Sequence, residues 1–122
     1  MVVLETLRRI AEIEFSDVVL FSDMVGRKLR LWLIDDSYID VNLSKKIKGR
    51  FGFHWERGHV DGSLFRYDNF PDTAWRHVTT FPYHFHNGSQ SNVEDSPFDR
   101  DIVQGFRQFL TFVREQLSNV RK

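Results

Sequence analysis

An α+β fold, with one antiparallel meander sheet of about five strands and N-terminal and C-terminal helices packed on one face, is what the sequence predicts for this chain of 122 residues. Three patterns carry the prediction. Apolar residues recur at helical spacing near both ends. Between them lie five stretches that are alternating, or rich in β-branched and aromatic residues, joined by short turn-rich connections. In the last two of these stretches the aromatic residues all fall on one parity.

The first element runs from Val3 to Ile13. Val3, Leu4, Leu7, Ile10 and Ala11 form one stripe, with Glu5, Arg8, Arg9 and Glu12 outside it, so the segment reads as a short amphipathic helix. Asp17 to Ser22 and Lys28 to Asp35 read as two antiparallel strands around Asp23-Met24-Val25-Gly26-Arg27, whose glycine suits a hairpin loop. After a tight Asp35-Asp36-Ser37 turn, Tyr38 to Leu43 alternates Ile39, Val41 and Leu43 against Tyr38, Asp40 and Asn42, a half-buried third strand. Arg50 to Arg57 places Phe51, Phe53 and Trp55 on the core side, opposite Gly52, His54 and Glu56. Ser63 to Asp68 follows after a Gly58 to Gly62 loop. Pairing Arg57 with Ser63 sets Trp55 against Phe65, Phe53 against Tyr67 and His54 against Arg66, which keeps the aromatics together on one face.

Phe70 to Asp95 reads as a long irregular connection, the kind of loop that more often carries function than not. The last element has Asp95 or Ser96 as cap, Pro97 in the first turn, and Phe98, Ile102, Val103, Phe106, Phe109, Leu110, Val113 and Leu117 as its apolar stripe. That periodicity describes a helix of about twenty residues packed on the sheet.

Composition excludes several classes of function. Seventeen basic residues balance seventeen acidic ones, so no overall field draws the chain to nucleic acid or anionic lipid. The absence of cysteine excludes disulfides, thiolate metal sites and a thiol nucleophile. The N-terminal residues turn charged before an apolar run forms, and no stretch of about 18 apolar residues follows. One soluble, cytoplasmic domain without membrane contact is the expectation. There is no glycine-rich phosphate cradle, nucleophile elbow or paired-glutamate arrangement, which removes most nucleotide-hydrolysing and serine-hydrolase readings.

Chemistry concentrates between Arg66 and His86, a stretch that holds Arg66, Asp68 and three of the five histidines. In extended chain His84 and His86 project to the same face, where two imidazoles can act as an acid–base pair or chelate a metal, with His77 or Asp68 as a third ligand. His54 and Arg66, facing each other across the hairpin, can exchange a proton and grip a phosphate. Asp68-Asn69 is also ordinary turn chemistry. Lys45, Lys46, Lys48 and Arg50 form a short basic segment able to touch RNA phosphates, while Trp75 and Tyr83 can stack on bases or pin the loop.

The combination Arg66-Tyr67-Asp68-Asn69-x-Pro71, then Thr80-Phe81-Pro82-x-His84-x-His86, after a strand carrying Phe53-His54-Trp55, resembles the TumE-like family of small prokaryotic toxins. The resemblance runs from about Asp17 into the terminal helix. It implies a growth-inhibiting toxin neutralised by a helix-turn-helix antitoxin encoded beside it. This chain has Pro71-Asp72 where the family commonly has Pro-His, with His77 as the substitute imidazole, and Tyr83 and Phe85 where relatives often carry His and Lys.

The favoured reading is a toxin that cleaves RNA without metal or other cofactor. His54, Arg66, Asp68, His84 and His86 are its catalytic residues, and His77, Tyr83, Lys45, Lys46, Lys48 and Arg50 its substrate contacts. Two alternatives stand beside it. One is a metal-binding hydrolase using His84 and His86, and the other a non-catalytic module that docks a partner protein on an exposed sheet face or edge.

Overall fold

The apolar parity of the strands decides which side of the sheet the helices cover. The computed structural model describes residues 2–120. Helix α1 (Val2–Glu14) is followed by β1 (Val19–Val25), β2 (Lys28–Leu33), β3 (Tyr38–Leu43), β4 (Phe51–Arg57) and β5 (Ser63–Asp68). A 3₁₀ turn (Thr73–Trp75), β6 (His84–Gly88), β7 (Val93–Asp95) and helix α2 (Ile102–Val120) complete the order. All strands join one antiparallel sheet in sequence order, β1 to β7. The α+β meander with terminal helices is as expected, with seven strands rather than about five.

The two added strands lie inside the supposed irregular connection. His84, Phe85 and His86 are all buried, so β6 lacks the one-sided polar signature of a half-exposed strand, and β7 has three residues. Neither length nor burial contrast announces them.

Leu29, Leu31, Ile39, Val41, Phe53, Trp55 and Tyr67 point to one side and meet Leu7 and Ala11 of α1 and Phe106, Phe109, Leu110 and Val113 of α2 in one cluster. Each is fully buried, and such a side chain contributes roughly 1.5–3 kcal/mol. Bidentate ion pairs fasten α2 to the end of α1 and the following turn: Arg107 to Glu14 at 3.0 and 2.9 Å, Arg114 to Asp17 at 2.8 and 2.7 Å.

The final helix starts later than its stripe suggests. Asp95 ends β7 and spends its carboxylate on the Thr79 N–H at 2.7 Å and hydroxyl at 2.6 Å, so it caps a turn rather than a helix. The cap is Asp101, whose Oδ2 accepts from Gln104 N at 3.0 Å. Phe98 enters the core from the preceding segment and packs on Phe85 at 5.2 Å. The β4–β5 pairing is the expected one, with Arg57, Trp55, His54 and Phe53 opposite Ser63, Phe65, Arg66 and Tyr67.

Candidate active site

Neither helix covers the opposite face of the sheet, and there the register aligns side chains in rows. Arg30, Asp40, His54, Arg66 and His86 face one another in turn from β2 to β6. A second row runs Asn42, Gly52, Asp68, His84 and Asp95 from β3 to β7. Pairing of β5 with β6 therefore brings the Arg66–Asp68 stretch beside His84 and His86.

Each residue of Arg66-Tyr67-Asp68-Asn69 has its own task. Tyr67 turns into the core and donates its hydroxyl to Asp99 O at 3.0 Å; burial pushes that hydroxyl up to about 12. Asn69 clamps the β3–β4 connection, accepting from Phe51 N at 2.9 Å and donating to Gly49 O at 2.8 Å. Asp68 Oδ2 accepts from Arg66 Nε at 2.6 Å, and its Oδ1 from Phe70 N at 3.0 Å. The same Oδ1 lies 3.1 Å from His84 Nε2. Turn capping and site chemistry thus share one carboxylate.

The second motif sets the imidazoles. Thr80 to Tyr83 closes a turn through Tyr83 N to Thr80 O at 2.8 Å, and Pro82 O then receives His84 Nδ1 at 3.0 Å. His86 Nδ1 donates to Gln90 O, in the β6–β7 turn, at 2.9 Å. A carbonyl can only accept, so both Nδ1 atoms carry hydrogen; His84 Nε2 then faces Asp68 Oδ1, and His86 Nε2 has no acceptor or donor assigned to it among the described residues. The rings lie 5.1 Å apart.

Their surroundings drive the two imidazoles in opposite directions. For His84, burial favours the neutral ring, but the hydrogen bond and charge of Asp68 and the Pro82 carbonyl outweigh it and hold the ring's pKa above its ordinary value. For His86, burial lowers the pKa, the Gln90 carbonyl offsets part of that, and the charge on His84 lowers it further. Burial alone would raise Asp68; His84, Arg66 and the Phe70 amide reverse this and keep the carboxyl low. The surroundings thus favour the ionised form of Asp68, the protonated ring of His84 and the neutral ring of His86.

All three groups are 2 % exposed. What closes them off is the 3₁₀ turn, where Asp72 accepts from Ala74 N at 2.9 Å and sets Trp75 with its ring 5.7 Å from His86 and 6.5 Å from His84. Asp72 is a capping residue here.

Asp68, His84 and His86 each offer one ligand atom, all within 4.8 Å of one another, a two-imidazole, one-carboxylate set that fits a divalent cation. His77 stacks edge-on beside Trp75 at 6.4 Å and lies outside that set. His54 stands two strands from His86, about 10 Å by strand spacing, and its Nε2 donates to Glu56 Oε1 at 3.0 Å. Its Nδ1 is buried with no hydrogen-bond partner among the described residues.

The remaining substrate-contact expectations fall elsewhere. Tyr83, of opposite parity to His84, turns to the core side, with Phe51 at 6.2 Å and the Arg100 guanidinium 5.0 Å from its ring. Lys48 and Arg50 border an apolar groove with Tyr83 and Arg100, and Lys45 and Lys46 a shallow one beside Phe70. Sequence reasoning passed over Arg30, Asp40 and Gly52. Strand parity with His54 was the signal that marked them.

Among the described residues no helix is long and apolar enough to cross a membrane. Neither a curated protein nor a solved structure matches the chain. The family model described as toxin TumE matches residues 2–117, nearly the whole chain, over the sheet, the paired motifs and the terminal helix just described. This protein is a member of the toxin TumE family.

Proposed function

We propose that this toxin acts in the cytoplasm as the RNA-cleaving partner of a helix-turn-helix antitoxin, and that it uses His84 and His86 as an acid–base pair. The observation that carries the proposal is the pairing of two rings 5.1 Å apart, each fixed through Nδ1 to a main-chain carbonyl and only one of them facing the Asp68 carboxylate, surroundings that shift their pKa values in opposite directions. Neutral His86 Nε2 takes the proton of a ribose 2′-hydroxyl as that oxygen attacks phosphorus. The bond from phosphorus to the 5′-oxygen breaks, and His84 Nε2 protonates the leaving oxygen, giving a 2′,3′-cyclic phosphate and a 5′-hydroxyl. Arg66, held by Asp68 through Nε, offers its terminal nitrogens to the charge on the phosphorane. The Trp75 turn must move aside for the backbone to reach these atoms.

A second reading has one specific support, the convergence of Asp68, His84 and His86 on a point where a divalent cation fits. A proton and a metal ion compete for the place between His84 Nε2 and Asp68 Oδ1. Purified toxin incubated with RNA in excess chelator separates the two. Cleavage to cyclic-phosphate ends is the expected result. Intact RNA that is cut only on adding a divalent metal rejects the acid–base mechanism in favour of the metal.

A further inference from the structure

Beside the buried centre, the open face of the sheet holds a cleft of about 340 Å³ whose lining includes Lys28 and Arg30 of β2, Asn42 of β3, Gly52 and the His54-bonded Glu56 of β4, and Arg66 of β5. Gly52 keeps it open: a Cβ there would meet Arg66 Nη2 at 3.0 Å. The two arginines along it are fixed but not saturated. Asp40 takes Nε and Nη2 of Arg30 at 2.8 and 2.9 Å, and Asp68 takes only Nε of Arg66. Arg30 Nη1 and both terminal nitrogens of Arg66 have no acceptor among the described residues, and exposed Lys28 has no ion pair among them.

The cleft also has a flat wall. The Arg30 guanidinium carbon lies 3.9 Å from the centroid of the Tyr38 ring, which also has Trp32 at 5.3 Å and His59 at 6.4 Å beside it. A guanidinium pinned by a carboxylate and backed by an aromatic ring is a platform on which a base can stack. Asn42, with one amide donor pair and one acceptor, faces the same space.

We propose that this cleft is a nucleotide subsite, in which Arg66 and Lys28 hold a phosphate, the base stacks on the Arg30–Tyr38 wall, and Asn42 contacts the base edge or ribose. Size favours a nucleotide over a bare anion, because the cleft lies in the range of sites that enclose organic ligands and a phosphate would leave most of it empty. Position favours it too. Arg66 sits in the row between His54 and His86, so one guanidinium faces both the cleft and the buried centre. The choice of ligand rests on the RNA-cleaving reading. In this arrangement His54 is a wall of the subsite and a positioning residue.

The test is calorimetric titration of the toxin with each nucleoside 3′-monophosphate, inorganic phosphate and a tetraglutamate peptide, with RNA cleavage measured in parallel. At least one nucleotide is expected to bind about tenfold more tightly than phosphate or the peptide, the order of gain a stacked base supplies. Asn42→Trp, which fills the cleft, and Lys28→Glu, an exposed change with no packing cost, should each remove most of that excess. Nucleotide binding no tighter than phosphate, or peptide binding as tight as nucleotide, overturns the subsite. So does an excess that survives Lys28→Glu and a folded Asn42→Trp protein. RNA cleavage without nucleotide preference sinks the subsite and leaves the function standing. Nucleotide binding without cleavage of any RNA upholds the subsite and sinks the function.

Discussion

Replacing Asp68 with asparagine removes the one charge on which both Arg66 and His84 depend. The carboxylate is 3 % exposed and accepts from Arg66 Nε at 2.6 Å and Phe70 N at 3.0 Å, with His84 Nε2 at 3.1 Å. An amide keeps one acceptor oxygen and turns a donor toward a donor. Removing one partner of a buried pair typically costs about 3–5 kcal/mol; the remaining amide oxygen and the 28 % exposure of Arg66 bring this to about 2–4 kcal/mol. For a chain of this length that is a fall in melting temperature on the order of 10 °C.

The loss should depend on pH in a defined way. Asp68, with its folded pKa held below the ordinary 3.8, stabilises the fold above 3.8 and loses that contribution as pH falls through its folded value. His84, held above 6.5, stabilises fully below 6.5 and loses that contribution as pH rises through its folded value. The gap between wild type and Asp68→Asn is therefore widest between those two ordinary values and narrows in alkali. Thermal melts followed by circular dichroism at pH 5.5 and pH 8.5 measure it. A gap under about 1 kcal/mol, or one equal at both pH values, would refute the coupling of Asp68 to a charged His84. Cleavage should fall about 10²–10⁴-fold, because burial without the carboxylate strips His84 of its proton.

Other outcomes follow from the same geometry. Cleavage rate against pH should be bell-shaped across 6.5, failing in acid as His86 gains a proton and in alkali as His84 loses one; a flat profile removes both from proton transfer. His84→Ala with His86→Ala, if still folded, should abolish growth inhibition in cells, and retained toxicity would indicate binding rather than chemistry. Gly105→Ala places a Cβ 2.4 Å from Asp99 O and 3.3 Å from Tyr67 Cε2. The overpacking cost of about 1–3 kcal/mol should exceed the helix-propensity gain of about 1 kcal/mol, so the variant melts lower. Trp75→Ala should speed modification of His84 and His86 by an imidazole-directed reagent; an unchanged rate would show that Trp75 does not cover them.

Much of the framework is legible in the residues because its signals are local. Period-two alternation assigns Phe53, Trp55 and Tyr67 to the core and His54 and Arg66 to the other face, and the register that pairs Arg57 with Ser63 across the short hairpin loop keeps those aromatics together. The shared face of His84 and His86 follows from the same parity. What lay beyond such reasoning depends on partners distant in the chain. Asp68 meets His84 only because β6 pairs with β5 across a long connection, and nothing in a three-residue strand such as β7 declares that the sheet continues. Asp95 and Asp101 are equally good caps by type, and the choice fell to Asp101 once Thr79 had taken the Asp95 carboxylate.

Side-chain direction along a strand is set by parity, so the residues alone put Arg66 and Asp68 on the polar side of the β4–β5 hairpin, and His84 and His86 on one common face of an extended segment. Sheet pairing brings the two sets together and drives the pKa values of the two imidazoles in opposite directions. Protonation depends on burial and on atoms a few ångströms away, and those atoms, Asp68, Pro82 O, Gln90 O and the Trp75 ring above them, are brought together by sheet pairing and loop closure rather than by spacing along the chain.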